Sequence, residues 1–346
     1  MTQFINFNTI IGNGNLKNYL FSQAAKRGEL ELDEADRRWQ NISDTLKTNE
    51  ITTFVRHYWN SRNKLERRSS LFKAIKRNIV AADSAFTLLD NLEKNAVFYA
   101  AFSNPYDEQW DKEERKHLKV INLLEVSTCY PLMLSALQFL PRSEFKILLR
   151  ELAAITFRYN VSGLNPNDAE QAFGKAAVSI AAKGVQTVKE AVLQLKGIYV
   201  SDDDFEQTFS TKAISTKREK DLIKYILVKI ENQLSQTDNQ FEDAASTIEH
   251  ILPENPGSVW ENNFKTDEQL DWIYRLGNYT LLEASVNHRL DNDKTFFDKL
   301  PSYKASKYKI TSEHLMYEDW THEAALHRQQ KMAKWAKAIW KSGFLR

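Results

Sequence analysis

From residue 83 to 159 apolar side chains return every three or four positions, the period of an α-helix rather than of a strand. Leu88, Leu89, Leu92, Ala96, Tyr99 and Ala100 make one stripe. Leu118, Ile121 and Leu124 begin a second, and Phe145, Leu148, Leu149, Leu152 and Ile155 make a third. Pro131 starts or kinks the helix between them. Only 10 glycines and 7 prolines punctuate the 346 residues, too few for the many turns of an all-β fold. The same period predicts a helix over 16–27, one or two over 35–59, and another over 217–234. A break at Gly163–Pro166, with Asn167 or Asp168 as cap, precedes the Ala- and Val-rich stretch Ala169–Leu195. Asp202-Asp203-Asp204-Phe205 reads as a capped helix start, with Phe205 and Phe209 facing inward; a metal-binding acidic triplet is the alternative.

Charge is balanced overall, with 47 basic and 46 acidic side chains. A nucleic-acid surface must therefore be local. Segment 61–77 is such a place: Arg62, Lys64, Arg67, Arg68, Lys73, Lys76 and Arg77 crowd it. It is either a phosphate-contacting patch or a solvated helix face that turns Leu65, Leu71, Phe72 and Ile75 inward. The single cysteine, Cys129, allows no internal disulfide and no cysteine-based zinc site. The first residues lack the pattern of a secretory signal, and no apolar run approaches the roughly 20 residues of a membrane span. The expectation is a protein of the reducing cytoplasm.

The texture changes at the polar stretch 235–243, which sets an expected boundary between a helical domain, 1–235, and a second domain, 236–346. There, Ile248 and Ile251 flank Glu249-His250 in a short strand that Pro253 ends. Leu276-Gly277-Asn278-Tyr279-Thr280-Leu281-Leu282 reads as a second strand begun at a glycine turn, and Ala284–Leu290 begins a helix. Strand, strand and helix make a ββα unit able to hold one hard cation. Phosphodiester hydrolysis needs a base for water and a cation for the developing phosphate charge. His250 suits the base, since its imidazole titrates near neutrality. Glu249 and Asn287 offer oxygen ligands for Mg²⁺ or Mn²⁺. Asn278 can brace the loop that positions the base. His288 is a possible second ligand or phosphate contact, and Lys299 a phosphate contact.

Ile248–Pro253, Leu276–Leu282, Asn287, Phe296-Phe297-Asp298-Lys299, Tyr303 and Ser306 together resemble the C-terminal nuclease domain of GmrSD-type, modification-dependent restriction endonucleases. The match covers about 244–346, and Gly14–Phe21 resembles the middle region of the same proteins. The resemblance implies a His-Me finger (HNH) fold and cleavage of foreign or modified DNA. The fold class expected is thus mostly α: an N-terminal helical domain, then a small α+β nuclease domain with the ββα-metal motif. Such proteins commonly begin with a ParB-like nucleotide-binding domain. Its Asp-Gly-Gln-Gln-Arg motif is absent here, so that domain is expected in trans, with Phe4, Ile5, Phe7, Ile10 and Ile11 either covering a partner or packing back. After Pro253 the family often has Gln; Glu254 stands here and is not among the expected ligands. The alternatives are a non-catalytic DNA-binding or adaptor subunit, or cleavage of RNA. The stretch from Thr321 to Trp340 reads as an amphipathic helix, with Leu326, Ala333, Ala336 and Trp340 inward and Arg328, Lys331, Lys334, Lys337 and Lys341 on a basic face.

Overall fold

The computed structural model describes residues 13–46, 50–290 and 292–346. Phe4, Ile5, Phe7, Ile10 and Ile11 lie outside the described residues. The chain divides into two compact units, one holding the described residues up to Ala153 together with Asn165–Ile198, the other Ala154–Leu164 and Tyr199–Phe344. The expected boundary near 235 does not separate them. The helices preceding it pack on the C-terminal helix and on the strands, so they belong to the second unit.

The first unit is helical. It contains α1 (Asn13–Ala25), α2 (Glu29–Leu46), α3 (Ile51–Asn60), α4 (Arg68–Asn78), α5 (Ala82–Phe102), α6 (Lys112–Leu123), α7 (Tyr130–Phe139), α8 (Arg142–Val161), α9 (Pro166–Ala181) and α10 (Val188–Leu193). From Ala154 onward α8 belongs to the second unit. The stretch 35–59 forms two helices, and Ala169–Leu195 also splits. Thr187 accepts from the Glu190 amide and Glu190 answers at the Thr187 amide, a capping box that starts α10 afresh. The stripes read from sequence are buried: Leu89, Leu92, Leu118, Phe145, Leu148, Leu149 and Leu152 lie in this unit's core, and Ile155 is buried in the second unit. Cys129 is buried, its thiol pushed up to about 12 by burial.

One polar group in this core reports on pH. The His57 imidazole is buried, with Nδ1 2.8 Å from the Tyr99 hydroxyl and Nε2 3.1 Å from the Arg56 guanidinium. Burial first, then the Arg56 charge, lower its pKa to about 3. An unfolded histidine titrates near 6.5. Between those values the unfolded chain binds the extra proton, so stability is full above pH 6.5 and is lost as pH falls toward 3. This histidine should cost about 2 kcal/mol between pH 6.5 and 4.5. Calorimetric melts of wild type and His57→Gln across that range should converge as pH falls; parallel curves would rule it out.

The second unit contains α11 (Asp202–Thr211), α12 (Thr216–Ser235), β1 (Ser246–His250), α13 (Gln269–Ile273), β2 (Tyr279–Glu283), α14 (Ala284–Asn287), α15 (Phe296–Lys304), α16 (Lys309–Ser312) and α17 (His322–Ile339). The molecule is mostly α, and its two strands pair antiparallel, His250 opposite Tyr279 and Glu249 opposite Thr280. Strand alternation then gives the hairpin two faces. Ile248, His250, Tyr279 and Leu281 share one, and α12 covers it through Tyr279, whose hydroxyl donates to the Ile214 carbonyl just before that helix. Thr247, Glu249, Thr280 and Leu282 share the other, where α14 and α15 lie.

Helix α17 is less of a basic face than its sequence suggests. Arg328 is buried, donating to the carbonyls of Gly277 (2.8 Å) and Tyr279 (2.6 Å) and to Thr280 Oγ1 (3.2 Å). Lys337 pairs with Glu206, and Lys341 with Asp202. Buried Arg158 donates to the Lys337 and Trp340 carbonyls, satisfying the open end of α17, and pairs with Asp202 at 2.8 Å. Asp202 therefore serves packing, and Ser201 caps α11. Gly277 is required by the close approach of α17: a Cβ there would run into the Ala325 carbonyl oxygen and Gln329 Cβ.

Candidate active site

His250 ends β1. Its side chain is 16% exposed. Nε2 lies 3.3 Å from Thr216 Oγ1 and 3.5 Å from Glu254 Oε1, and the Thr216 hydroxyl donates to that same carboxylate at 2.6 Å. The Tyr279 ring stands edge-on, 4.9 Å between centroids. Burial lowers the His250 pKa to about 4, Glu254 opposes that shift, and Lys299 adds to it. The ring is therefore neutral at pH 7, and burial makes it a weaker proton acceptor than the near-neutral imidazole expected from sequence. The facing carboxylate stabilises the imidazolium that results.

Asn278 lies just before β2 and is buried, with every hydrogen-bonding position of its amide used. Oδ1 accepts from the Leu252 amide (2.8 Å) and Trp320 Nε1 (3.0 Å); Nδ2 donates to the carbonyls of Leu252 (2.9 Å) and Ile273 (3.0 Å). It clasps the backbone two residues beyond His250 and ties it to the core cluster that contains Trp320, Trp260 and Phe264.

Glu249 and Asn287 meet the other face of β1. Glu249 is buried, and its Oε1 accepts from Lys299 Nζ (2.9 Å) and from the Tyr303 hydroxyl (2.8 Å). The tyrosine is held well above its ordinary pKa by burial and by Glu249, so it keeps the proton it donates. Asn287 Nδ2 donates to Thr247 Oγ1 (2.9 Å) and to the Ile248 carbonyl (3.0 Å). These contacts use one carboxylate oxygen of Glu249 and the amide nitrogen of Asn287. They leave Glu249 Oε2 and Asn287 Oδ1 with no hydrogen-bond partner among the described residues, on one face of the hairpin. Two oriented oxygens with their other atoms held in place fit a hydrated Mg²⁺, which prefers oxygen and keeps several waters. The Lys299 ammonium already balances the Glu249 charge, so affinity for a cation alone is weakened, and a substrate phosphate would add the missing negative charge.

Lys299 corrects the sequence expectation. It is 2% exposed, and besides Glu249 it donates to the carbonyls of His250 (3.3 Å) and Ile251 (3.2 Å). Buried with three acceptors, it cannot reach a phosphate; it braces the strand end. His288 is exposed at the end of α14, and its side chain makes no hydrogen bond among the described residues. No group of three His, Cys, Asp or Glu side chains forms a cation cluster among the described residues. The hairpin thus does not put His250 and the Glu249–Asn287 pair on one face. They flank the same strand end from opposite sides, within electrostatic reach through Lys299.

Sequence reasoning missed Thr216 and set Glu254 aside. Glu254 had a local signal, since it follows His250 by four positions. Thr216 had none: it arrives from the start of α12, 34 positions upstream.

Residues 199–335 match the family model described as GmrSD restriction endonucleases, C-terminal domain. No curated protein matches the chain. The match starts at the residue where the second compact unit resumes after α10.

Proposed function

We propose, from the match of residues 199–335 to the family model of the GmrSD restriction endonuclease C-terminal domain, that this chain is a metal-dependent DNA endonuclease of the HNH type, acting in restriction of foreign or modified DNA. The observation that carries the reading is the strand end at His250. A neutral imidazole, its far side turned to Glu254 and Thr216, stands across β1 from two unspoken-for oxygens, Glu249 Oε2 and Asn287 Oδ1. His250 is the base that takes the proton of the attacking water. Glu254 holds the imidazolium. Asn278 positions the backbone that carries the ring, and Lys299 and Tyr303 orient Glu249. Glu249 and Asn287 would hold Mg²⁺ or Mn²⁺, which when bound would supply charge neutralisation at the phosphate.

Nicking of supercoiled plasmid is expected with Mg²⁺ or Mn²⁺ and to stop with excess EDTA, returning on metal addition. The melting temperature should move by about 2 °C or less on chelation, since an open two-ligand site contributes little to folding. A large loss of folding on chelation would instead mean a structural ion. Plasmid binding without nicking under any metal would favour the non-catalytic reading, to which the Lys299–Glu249 pairing lends weight.

A further inference from the structure

We propose that the first unit carries a second DNA-binding surface: a groove between α3, the loop 61–67 and α9 that takes the phosphate backbone of a duplex on Lys64, Arg67 and Lys175. DNA as the ligand rests on the function proposed above; the groove rests on observations of its own. Segment 61–77 holds seven cations against one carboxylate, Glu66. None of the seven makes an ion pair among the described residues, and neither does Lys175. Elsewhere in the same unit several cations are matched: Arg38 meets Glu34, Asp90 and Glu93, Arg142 meets Glu114, and Lys146 meets Asp111. An uncompensated run on a charge-balanced protein costs self-repulsion that a polyanion relieves.

The shape selects the polyanion. Lys64, Arg67 and Lys175 are exposed around an open cavity of about 1430 Å³. That exceeds the roughly 300–1,000 Å³ of small-ligand sites. No aromatic ring lines it, so it offers a nucleobase nothing to stack on. Arg56 at its wall is already neutralised by Glu170, and the Glu66 carboxylate accepts from Ser70 at 2.5 Å. Beyond that pair the lining holds three cations, Lys64, Arg67 and Lys175, against two carboxylates, Glu66 and Asp168, with amide side chains such as Gln171 and Gln194, a net positive donor set for backbone contacts that position a duplex without reading its bases.

The test is anisotropy of a fluorescent 20-bp duplex with the full chain in metal-free buffer, from 50 to 200 mM salt. The triple variant Lys64→Ala, Arg67→Ala, Lys175→Ala should bind at least tenfold more weakly at the low end. Its slope of log affinity against log salt should flatten by about three, at roughly 0.9 for each phosphate no longer neutralised. Arg37→Ala, Lys94→Ala, Lys146→Ala, which removes three paired cations from the same unit, should bind like wild type. Metal-dependent hydrolysis of bis(p-nitrophenyl) phosphate, too small to bridge to the groove, should be unchanged in both. An unchanged slope in the first variant, or an equal loss in the second, overturns the groove. Loss of duplex binding in a protein whose wild type hydrolyses nothing would sustain the groove and sink the nuclease reading.

Discussion

Replacing His250 with alanine should lower the rate of plasmid cleavage by about 10²–10⁴-fold, the usual worth of a positioned general base. Duplex affinity and the melting temperature should stay close to wild type. The expectation follows from how little holds the ring. Its side chain keeps 16% exposure, and its polar contacts are long, 3.3 Å to Thr216 and 3.5 Å to Glu254. Removing it leaves the Thr216–Glu254 hydrogen bond intact at 2.6 Å. The fold loses a ring at the end of a strand; the chemistry loses its proton acceptor. Initial rates at saturating Mg²⁺, beside a thermal melt, separate the two. A variant that nicks at the wild-type rate would show that another group activates the water, and one that unfolds would show that the ring is structural.

The largest effect on stability is expected at Asn278. Asn278→Ala strands the Leu252 amide and carbonyl, the Ile273 carbonyl and Trp320 Nε1, all buried around one side chain. At roughly 1–3 kcal/mol for each group left unsatisfied, with partial relaxation, the loss should be about 3–5 kcal/mol in denaturant unfolding. Asn278→Asp is the sharper test. It keeps the shape and the accepting oxygen, yet it turns a carboxylate oxygen toward the Leu252 and Ile273 carbonyls in place of the two N–H donors. It should therefore destabilise as much as alanine. Aspartate within about 1 kcal/mol of wild type would mean that size at this position matters and the hydrogen bonds do not. Cleavage by either variant, measured below its midpoint, should fall as well, because Leu252 carries the backbone that follows His250.

Much of this was readable in the residues themselves. The helical stripes from 83 to 159, the strand at Glu249-His250, the second strand and the short helix before Asn287 follow from local period and from glycine or proline stops, forces that act within one element. Side-chain chemistry alone nominated Glu249 and Asn287 as oxygen ligands, His250 as base and Asn278 as brace, and of these the structure shows the bracing contacts of Asn278.

Tertiary packing decided what those residues face. Strand alternation sends Glu249 and His250 to opposite faces, but only the helices laid on each face fix the consequence. On one side α15 brings Lys299 and Tyr303 from 50 and 54 positions away, which turns an expected phosphate contact into a buried brace. On the other, Thr216 joins Glu254 against the imidazole. Arg328 reads as one of five cations on a helix face, yet it is buried because backbone carbonyls of Gly277 and Tyr279 wait under it. A charged side chain in a sequence has the same pattern whether water or a carbonyl solvates it. Which of the two is a property of the residues that arrive from elsewhere.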